Sequence, residues 1–159
     1  MKIAISIPGQ TLTLLGDDGA ELKRYKVSTA KNGAGEQRDS LCTPRGRHIV
    51  RAKIGAGQPV NAVFVGRRPT GEIWTPQLGR DHPGRDWILT RILWLSGCEP
   101  GFNRLGKVDT MRRYIYIHGS PDSVPMGVPG SIGCVRMHNA DVVELFNRVP
   151  AGTPVEISG

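Results

Sequence analysis

Glycine and proline interrupt this chain so often that its apolar runs stay short. Of the 159 residues, 21 are glycine and 12 are proline, and the runs between them are flanked by turn-forming residues. This pattern favours short strands joined by turns over a helical bundle. We therefore predict a mainly β fold, either a β-sandwich or an open β-barrel. Because no repeat or break in composition marks a boundary, residues 1–159 are predicted to form one domain.

The first part of the chain predicts a meander of antiparallel strands. Ile3, Ile5 and Ile7 alternate along a first strand, and turns are expected at Pro8-Gly9 and at Asp17-Asp18-Gly19. Further strands are predicted over five segments, Arg47–Ile54, Val60–Arg67, Trp87–Leu95, Tyr114–His118 and Pro154–Ile157.

One segment, Asn139–Val149, predicts a helix. Asn139 is a suitable N-cap, Asp141 lies where the helix dipole favours negative charge, and Pro150 ends the segment. The predicted fold therefore has a single short helix near its C-terminal side.

His118 and Cys134 are the first candidates for catalysis. A thiol attacks only as its thiolate, and a free cysteine, with a pKa of about 8.5, is mostly protonated near neutral pH. An imidazole within hydrogen-bond reach is the usual way to generate the thiolate. Strand alternation puts Tyr116 and His118 on one face, and the Pro/Gly-rich residues 120–130 predict a loop that returns Cys134 to His118.

Three further residues suit such a site. Gly133 lets the backbone approach a substrate, and its N–H, with that of Cys134, is placed to bind a developing oxyanion. Arg136 is placed either to bind a substrate carboxylate or to brace the loop of Cys134. Arg91 stands in an apolar strand, where an unpaired guanidinium is costly, so we expect it either to pair with a carboxylate of the protein or to face the substrate.

Other functions fit parts of the pattern less well. Cys134 and His138 have the spacing of half a zinc site, but no second pair exists, so no metal or cofactor is expected. The net charge of +7 is dispersed and accompanies no nucleic-acid-binding motif, so it favours small anions over nucleic acid. No segment approaches the roughly 18 to 20 apolar residues of a membrane span, so no membrane contact is expected.

The motif resembles a known family. His118-Gly119, the Pro/Gly loop and the segment Ser131-Ile132-Gly133-Cys134-Val135-Arg136-Met137 are similar to the active-site motif of YkuD-type L,D-transpeptidases, cysteine enzymes that act on peptidoglycan stem peptides. Thr43-Pro44-Arg45-Gly46 and residues 139–157 extend the resemblance. Ile132 departs from it, because many members have histidine there, which leaves His118 as the base.

The resemblance implies acyl transfer through a cysteine thioester. Cys134 is expected to attack the carbonyl at the L-centre of a diamino acid in a tetrapeptide stem and expel D-Ala, while His118 takes the thiol proton and returns it to the leaving amine. Gly119 is expected to orient His118 through its carbonyl, and Ser131 to hydrogen-bond within the site. Carbapenem-type inhibitors are implied as ligands. The substrate-binding candidates are Arg136, Tyr116 and Arg91.

The acyl acceptor decides the activity. Water makes an L,D-carboxypeptidase that trims muropeptides, as in murein recycling, whereas the amine of a second stem makes a 3→3 cross-link in the periplasm. A strand pattern directly after Met1-Lys2 and three cysteines favour the cytoplasm, and therefore hydrolysis. A chain trimmed from an exported protein would instead fit the periplasm. A non-catalytic peptidoglycan-binding module, expected to lack an intact His and Cys pair, is the more distant alternative.

Overall fold

The computed structural model describes residues 1–159 and contains one ten-stranded sheet. The strands are β1 Lys2–Ser6, β2 Thr11–Leu15, β3 Glu21–Lys26, β4 Gly46–Ile54, β5 Ala62–Val65, β6 Arg68–Ile73, β7 Ile88–Gly97, β8 Tyr116–Ser120, β9 Val135–His138 and β10 Pro154–Ser158. The helices are α1 Pro76–Asp81 and α2 Asn139–Arg148, with a 3₁₀ turn at Gly106–Val108.

The sheet curls into an open half-barrel, which confirms the mainly β prediction. Its strands lie in the order β3-β2-β1-β10-β4-β7-β5-β6, while β8 pairs with β7 and β9 pairs with β8. The antiparallel meander of β1, β2 and β3 is confirmed. Two pairs, β1 with β10 and β8 with β9, are parallel and were not predicted, because partners far apart in the chain leave no local signal.

The main core lies between the sheet and α2. Ile3 and Ile5 of β1 and Leu145 of α2 are almost fully buried in one apolar cluster that also includes Ile117 of β8. The opposite face of β8 is buried too, since Tyr116 belongs to a second, smaller cluster. Covering both faces of β8 fixes this strand firmly, as is usual for strands with parallel neighbours.

The predicted strand at Tyr114–His118 is shifted by two residues. Tyr114 is exposed and has a φ of 57°, so it belongs to the preceding turn, and β8 continues through Gly119 to Ser120. A side chain at Gly119 would lie 2.7 Å from the Leu89 carbonyl oxygen. Glycine therefore extends the strand here because β7 approaches it closely.

The predicted helix is found at its expected place as α2, but the predicted N-cap residue is wrong. The N-cap of α2 is His138, whose side chain makes no capping hydrogen bond. Asn139 is the first helical residue, and its side chain accepts a hydrogen bond from Thr90 Oγ1 at 2.6 Å and donates one to Asn61 Oδ1 at 2.8 Å. Asn139 thus joins α2 to the sheet and the β5 hairpin.

Three elements were missed, the helix α1 and the strands β6 and β9. The helix α1 begins after Thr75, whose Oγ1 accepts a hydrogen bond from the Leu78 N–H at 3.1 Å. Strand β6 contains Pro69 and Gly71, which argue against a strand, but β6 lies at the edge of the sheet, where proline is tolerated. Neither helix has the length and apolar character to cross a membrane.

Candidate active site

Strands β8 and β9 bring the predicted pair to one place. They lie parallel, with His118 opposite Arg136, and Cys134 is the residue just before β9. The Cys134 sulfur accepts a hydrogen bond from the Tyr116 N–H at 3.3 Å and its thiol donates one to the Tyr114 carbonyl at 3.4 Å. The sulfur therefore rests against the strand that carries His118.

His118 is held in the form that a base requires. Its side chain is fully buried, and Nδ1 lies 2.6 Å from the Gly119 carbonyl oxygen. A carbonyl only accepts, so Nδ1 carries the proton of the neutral ring and Nε2 is unprotonated. Nε2 has no hydrogen-bond partner, the Cys134 sulfur included. This is the contact expected of Gly119, and its catalytic effect stays a prediction.

Burial keeps both reactive groups neutral at rest. It lowers the pKa of His118, although the hydrogen bond to the Gly119 carbonyl raises it. Burial also raises the pKa of the Cys134 thiol to about 12, although the Tyr116 N–H, Arg136 and Arg113 lower it. A preformed thiolate and imidazolium pair is therefore not what this site stabilises.

Hydrogen bonds from both sides fix the loop that carries Cys134. Ser131 is buried, and its hydroxyl donates to the Cys134 carbonyl at 2.6 Å and accepts from the Gly133 N–H at 3.2 Å. Thr43 Oγ1 donates to the Gly133 carbonyl at 2.9 Å and accepts from the Ala30 N–H at 2.9 Å. Thr43 lies in a segment singled out from the sequence, but its role in holding this loop was not foreseen.

The same bonds divide the two predicted oxyanion donors. The Gly133 N–H is occupied by Ser131, whereas the Cys134 N–H makes no hydrogen bond within the protein. Gly133 has a φ of 136°, and a Cβ atom added at this position would lie 3.4 Å from the Cys42 carbonyl oxygen. This backbone conformation suits glycine. Of the two amides, that of Cys134 is free to bind a developing negative charge.

Arg136 braces the loop. Its guanidinium makes an ion pair with Asp86 at 3.0 Å and donates to the Gly130 carbonyl at 3.1 Å. Of the two roles that the sequence left open, carboxylate binding and support of the loop, these contacts provide the second. Asp86 already neutralises this guanidinium, and binding of a substrate carboxylate by Arg136 stays a prediction.

Arg91 is not paired with a carboxylate of the protein. Its Nη1 donates to the Gln58 carbonyl at 2.8 Å and to the Thr90 carbonyl at 2.6 Å, and its Cζ lies 5.5 Å from the centroid of the Phe146 ring. The prediction of a carboxylate partner is wrong, because two backbone carbonyls and the face of an aromatic ring contact the guanidinium instead. Arg91 is also absent from the lining of the cavity beside Cys134.

A cavity of about 380 Å³ opens beside the thiol. Tyr116, as predicted for a substrate contact, lies in its wall, together with Asp86, Ile132 and two arginines, Arg67 and Arg113. Neither arginine was predicted. Arg113 immediately precedes the segment predicted to carry the base, which was a usable signal, whereas Arg67 lies in a turn before the unpredicted strand β6.

Comparison with known proteins agrees with this arrangement. The sequence model of the YkuD family, described as the L,D-transpeptidase catalytic domain, matches residues 1–157. The chain belongs to the YkuD family. Among the relatives of this YkuD domain, the L,D-transpeptidase YkuD of Bacillus licheniformis is 45% identical over 157 residues, which is 99% of this chain and 65% of that protein. The chain thus spans less than two thirds of that relative.

Solved L,D-transpeptidases share the fold of this YkuD domain. L,D-transpeptidase 3 from Mycobacterium tuberculosis, in complex with a faropenem-derived adduct, has a TM-score of 0.59 and 18% identity, over 99% of this chain and 59% of the other. LdtMt1 in complex with imipenem has a TM-score of 0.58 and 20% identity, over 98% and 57% of the two chains. At these identities the likeness shows the fold alone.

Proposed function

We propose that this chain is a cysteine acyl-transfer enzyme that cleaves the bond between the diamino acid and D-Ala in peptidoglycan tetrapeptide stems. The observation that carries the proposal is the arrangement on β8: the Cys134 sulfur rests against the strand, beside a cavity, and the strand also holds His118 with Nε2 unprotonated and without a partner. Membership of the YkuD family supports the substrate class.

Each step uses a group that the site provides. His118 Nε2 takes the thiol proton as Sγ of Cys134 forms a bond to the substrate carbonyl carbon, and the Cys134 N–H binds the resulting oxyanion. The tetrahedral intermediate collapses to a thioester as the C–N bond breaks, and the imidazolium of His118 gives its proton to the departing amine of D-Ala. An acceptor, activated by His118, then attacks the thioester and restores the thiol.

Water is the acceptor that we propose, which makes the enzyme an L,D-carboxypeptidase of murein recycling in the cytoplasm. All three cysteines, Cys42, Cys98 and Cys134, are free thiols, and free thiols persist most readily in a reducing compartment. The alternative, a transpeptidase that forms 3→3 cross-links in the periplasm, uses the same thioester and differs only in the acceptor.

Purified tetrapeptide and its disaccharide-linked form test the proposal, with products read by mass spectrometry. Hydrolysis removes one D-Ala from each stem, whereas cross-linking joins two stems with loss of a single D-Ala. We expect tripeptide to predominate. Joined stems as the main product would transfer the assignment to the transpeptidase.

The nucleophile is tested by matched cysteine variants. Cys134→Ala is expected to abolish turnover and to prevent the covalent adduct that a carbapenem forms with the wild-type protein, as seen in intact mass. Cys42→Ala and Cys98→Ala should retain both properties. A wild-type protein that forms no adduct and cleaves no stem would be a peptidoglycan-binding module instead.

A further inference from the structure

Arg67 places a positive charge at the mouth of the Cys134 cavity without a carboxylate to neutralise it. The residue lines the cavity together with Tyr116, and its Nη1 donates to the Tyr116 hydroxyl at 3.0 Å. None of the ion pairs of the protein includes Arg67. The remaining N–H groups of this guanidinium have no protein acceptor and are available to a ligand.

Two aromatic rings hold the guanidinium in place. Its Cζ lies 4.8 Å from the ring centroid of Trp94 and 4.7 Å from that of Tyr114. These distances are typical of cation–π contacts. The rings and the Tyr116 hydroxyl orient the planar group in advance, which lowers the entropic cost of binding a carboxylate with it.

The turn that carries Arg67 is unusual for this residue type. Gly66 and Arg67 are the two residues between β5 and β6, with φ values of 56° and 64°. Two-residue hairpin turns with positive φ at both positions strongly favour glycine or asparagine, and other residues are strained there. A long cationic side chain held in such a turn points to a function for the side chain.

The other two arginines near the thiol are already occupied. Arg136 is paired with Asp86. Arg113 donates to the carbonyl of Cys42 at 2.7 Å and to those of Gly35 and Glu36 at 3.3 Å, so its guanidinium holds a loop. Among the three cations, Arg67 makes the fewest hydrogen bonds to the protein.

We propose that Arg67 binds a carboxylate of the substrate at the mouth of the cavity, the role that the sequence suggested for Arg136. The inference rests on the proposed function, because it names the group that recognises the stem. Beside the scissile bond, a stem with diaminopimelate offers two carboxylates, that of the diamino acid side chain and that of the terminal D-Ala. Stems with lysine offer only the second.

Substrates that lack one carboxylate at a time identify the source. The values of kcat/KM are measured for a diaminopimelate tetrapeptide, its side-chain amide and its C-terminal amide. Arg67→Met is expected to lower kcat/KM for the acidic stem by about tenfold or more, which is typical of a hydrogen bond to a charged group, and to leave one amide unaffected. The unaffected amide marks the carboxylate that Arg67 contacts, and Arg67→Lys should restore part of the loss.

Arg68→Met is the matched control. Arg68 is exposed, adjoins the same turn and does not line the cavity, so the substitution removes the same charge without removing the contact. Arg68→Met should keep the wild-type preference for the acidic stem. If the two substitutions lower kcat/KM for the acidic stem equally, the overall positive charge of the protein attracts the substrate, and no carboxylate site exists at Arg67.

Alkylation of Cys134 separates this inference from the proposed function. In a Cys42→Ala, Cys98→Ala background, iodoacetate is compared with neutral iodoacetamide, and Arg67→Met is expected to lower the ratio of the two rates several-fold, unlike Arg68→Met. A changed ratio with no stem cleaved would contradict the proposed function and support Arg67. If stems are cleaved but Arg67→Met changes neither the ratio of alkylation rates nor the preference for the carboxylate, the inference about Arg67 is overturned while the proposed function stands.

Discussion

Ser131→Ala tests whether the loop of Cys134 is positioned by one buried hydroxyl. The substitution removes the bond to the Cys134 carbonyl and the bond from the Gly133 N–H. Each buried hydrogen bond contributes about 1 kcal/mol, so the free energy of unfolding is expected to fall by about 2 kcal/mol. For a chain of this size, that corresponds to a decrease in Tm of about 4 to 8 °C.

Ser120→Ala provides the matched control. Ser120 is equally buried, and its hydroxyl makes a single bond, to the Met137 carbonyl at 2.9 Å. The expected loss is about 1 kcal/mol, with no direct effect on the loop of Cys134. Thermal unfolding followed by circular dichroism measures both losses.

Reactivity distinguishes positioning from simple stabilisation. Below the unfolding temperature, Ser131→Ala is expected to slow carbapenem acylation of Cys134 by about tenfold or more, because small displacements of a nucleophile are costly, while Ser120→Ala acylates at the wild-type rate. If Ser131→Ala acylates as fast as the wild type, or loses no more stability than Ser120→Ala, the reasoning about this loop is refuted.

Two other expectations concern the charges of the site. Burial lowers the pKa of His118, so its inactive protonated form accumulates only below the ordinary value of 6.5, and kcat/KM should rise with pH through that lower range and then level. In His118→Gln, alkylation of Cys134 should instead keep rising toward the thiol pKa of about 12; a plateau near neutral pH in this variant would contradict the role of base. Because Arg136 contacts Asp86 and Gly130, Arg136→Ala should slow acylation by acidic stems and alkylation by iodoacetamide to a similar degree. A loss confined to acidic stems would show that Arg136 binds the carboxylate after all.

Local sequence patterns predicted those strands, turns and helices that are determined by residues close together in the chain. The alternation of Ile3 and Ile5, the turns of the meander and the helix after His138 are all consequences of periodicity and turn chemistry within a few positions. The combination of His118, Cys134 and a Pro/Gly loop likewise predicted that the chain returns Cys134 toward His118, although the strand β9 and its pairing with β8 were not predicted.

Contacts between distant segments were beyond such reasoning. Thr43 reaches the loop of Cys134 across the fold, and Asp86 neutralises Arg136 from another connection. Arg67 escaped notice because β6, with Pro69 and Gly71, lacks the pattern of a strand, so its hairpin could not be recognised. In each case the partner is set by sheet topology, which a single sequence does not reveal.

The position of β10 has a consequence for how the protein folds. Although β10 is the last strand in chain order, it lies between β1 and β4 and pairs with both. Among the strands, the meander formed by β1 to β3 thus pairs with the remaining sheet through residues 154–158, across the longest sequence separation in the fold, and the segment after β3 adds one bridge between Ser28 and Arg136. Such non-local pairing slows folding, and until β10 docks, two sheet edges stay open to intermolecular association. Conditions that delay this last pairing should therefore promote aggregation more than they lower the stability of the finished fold.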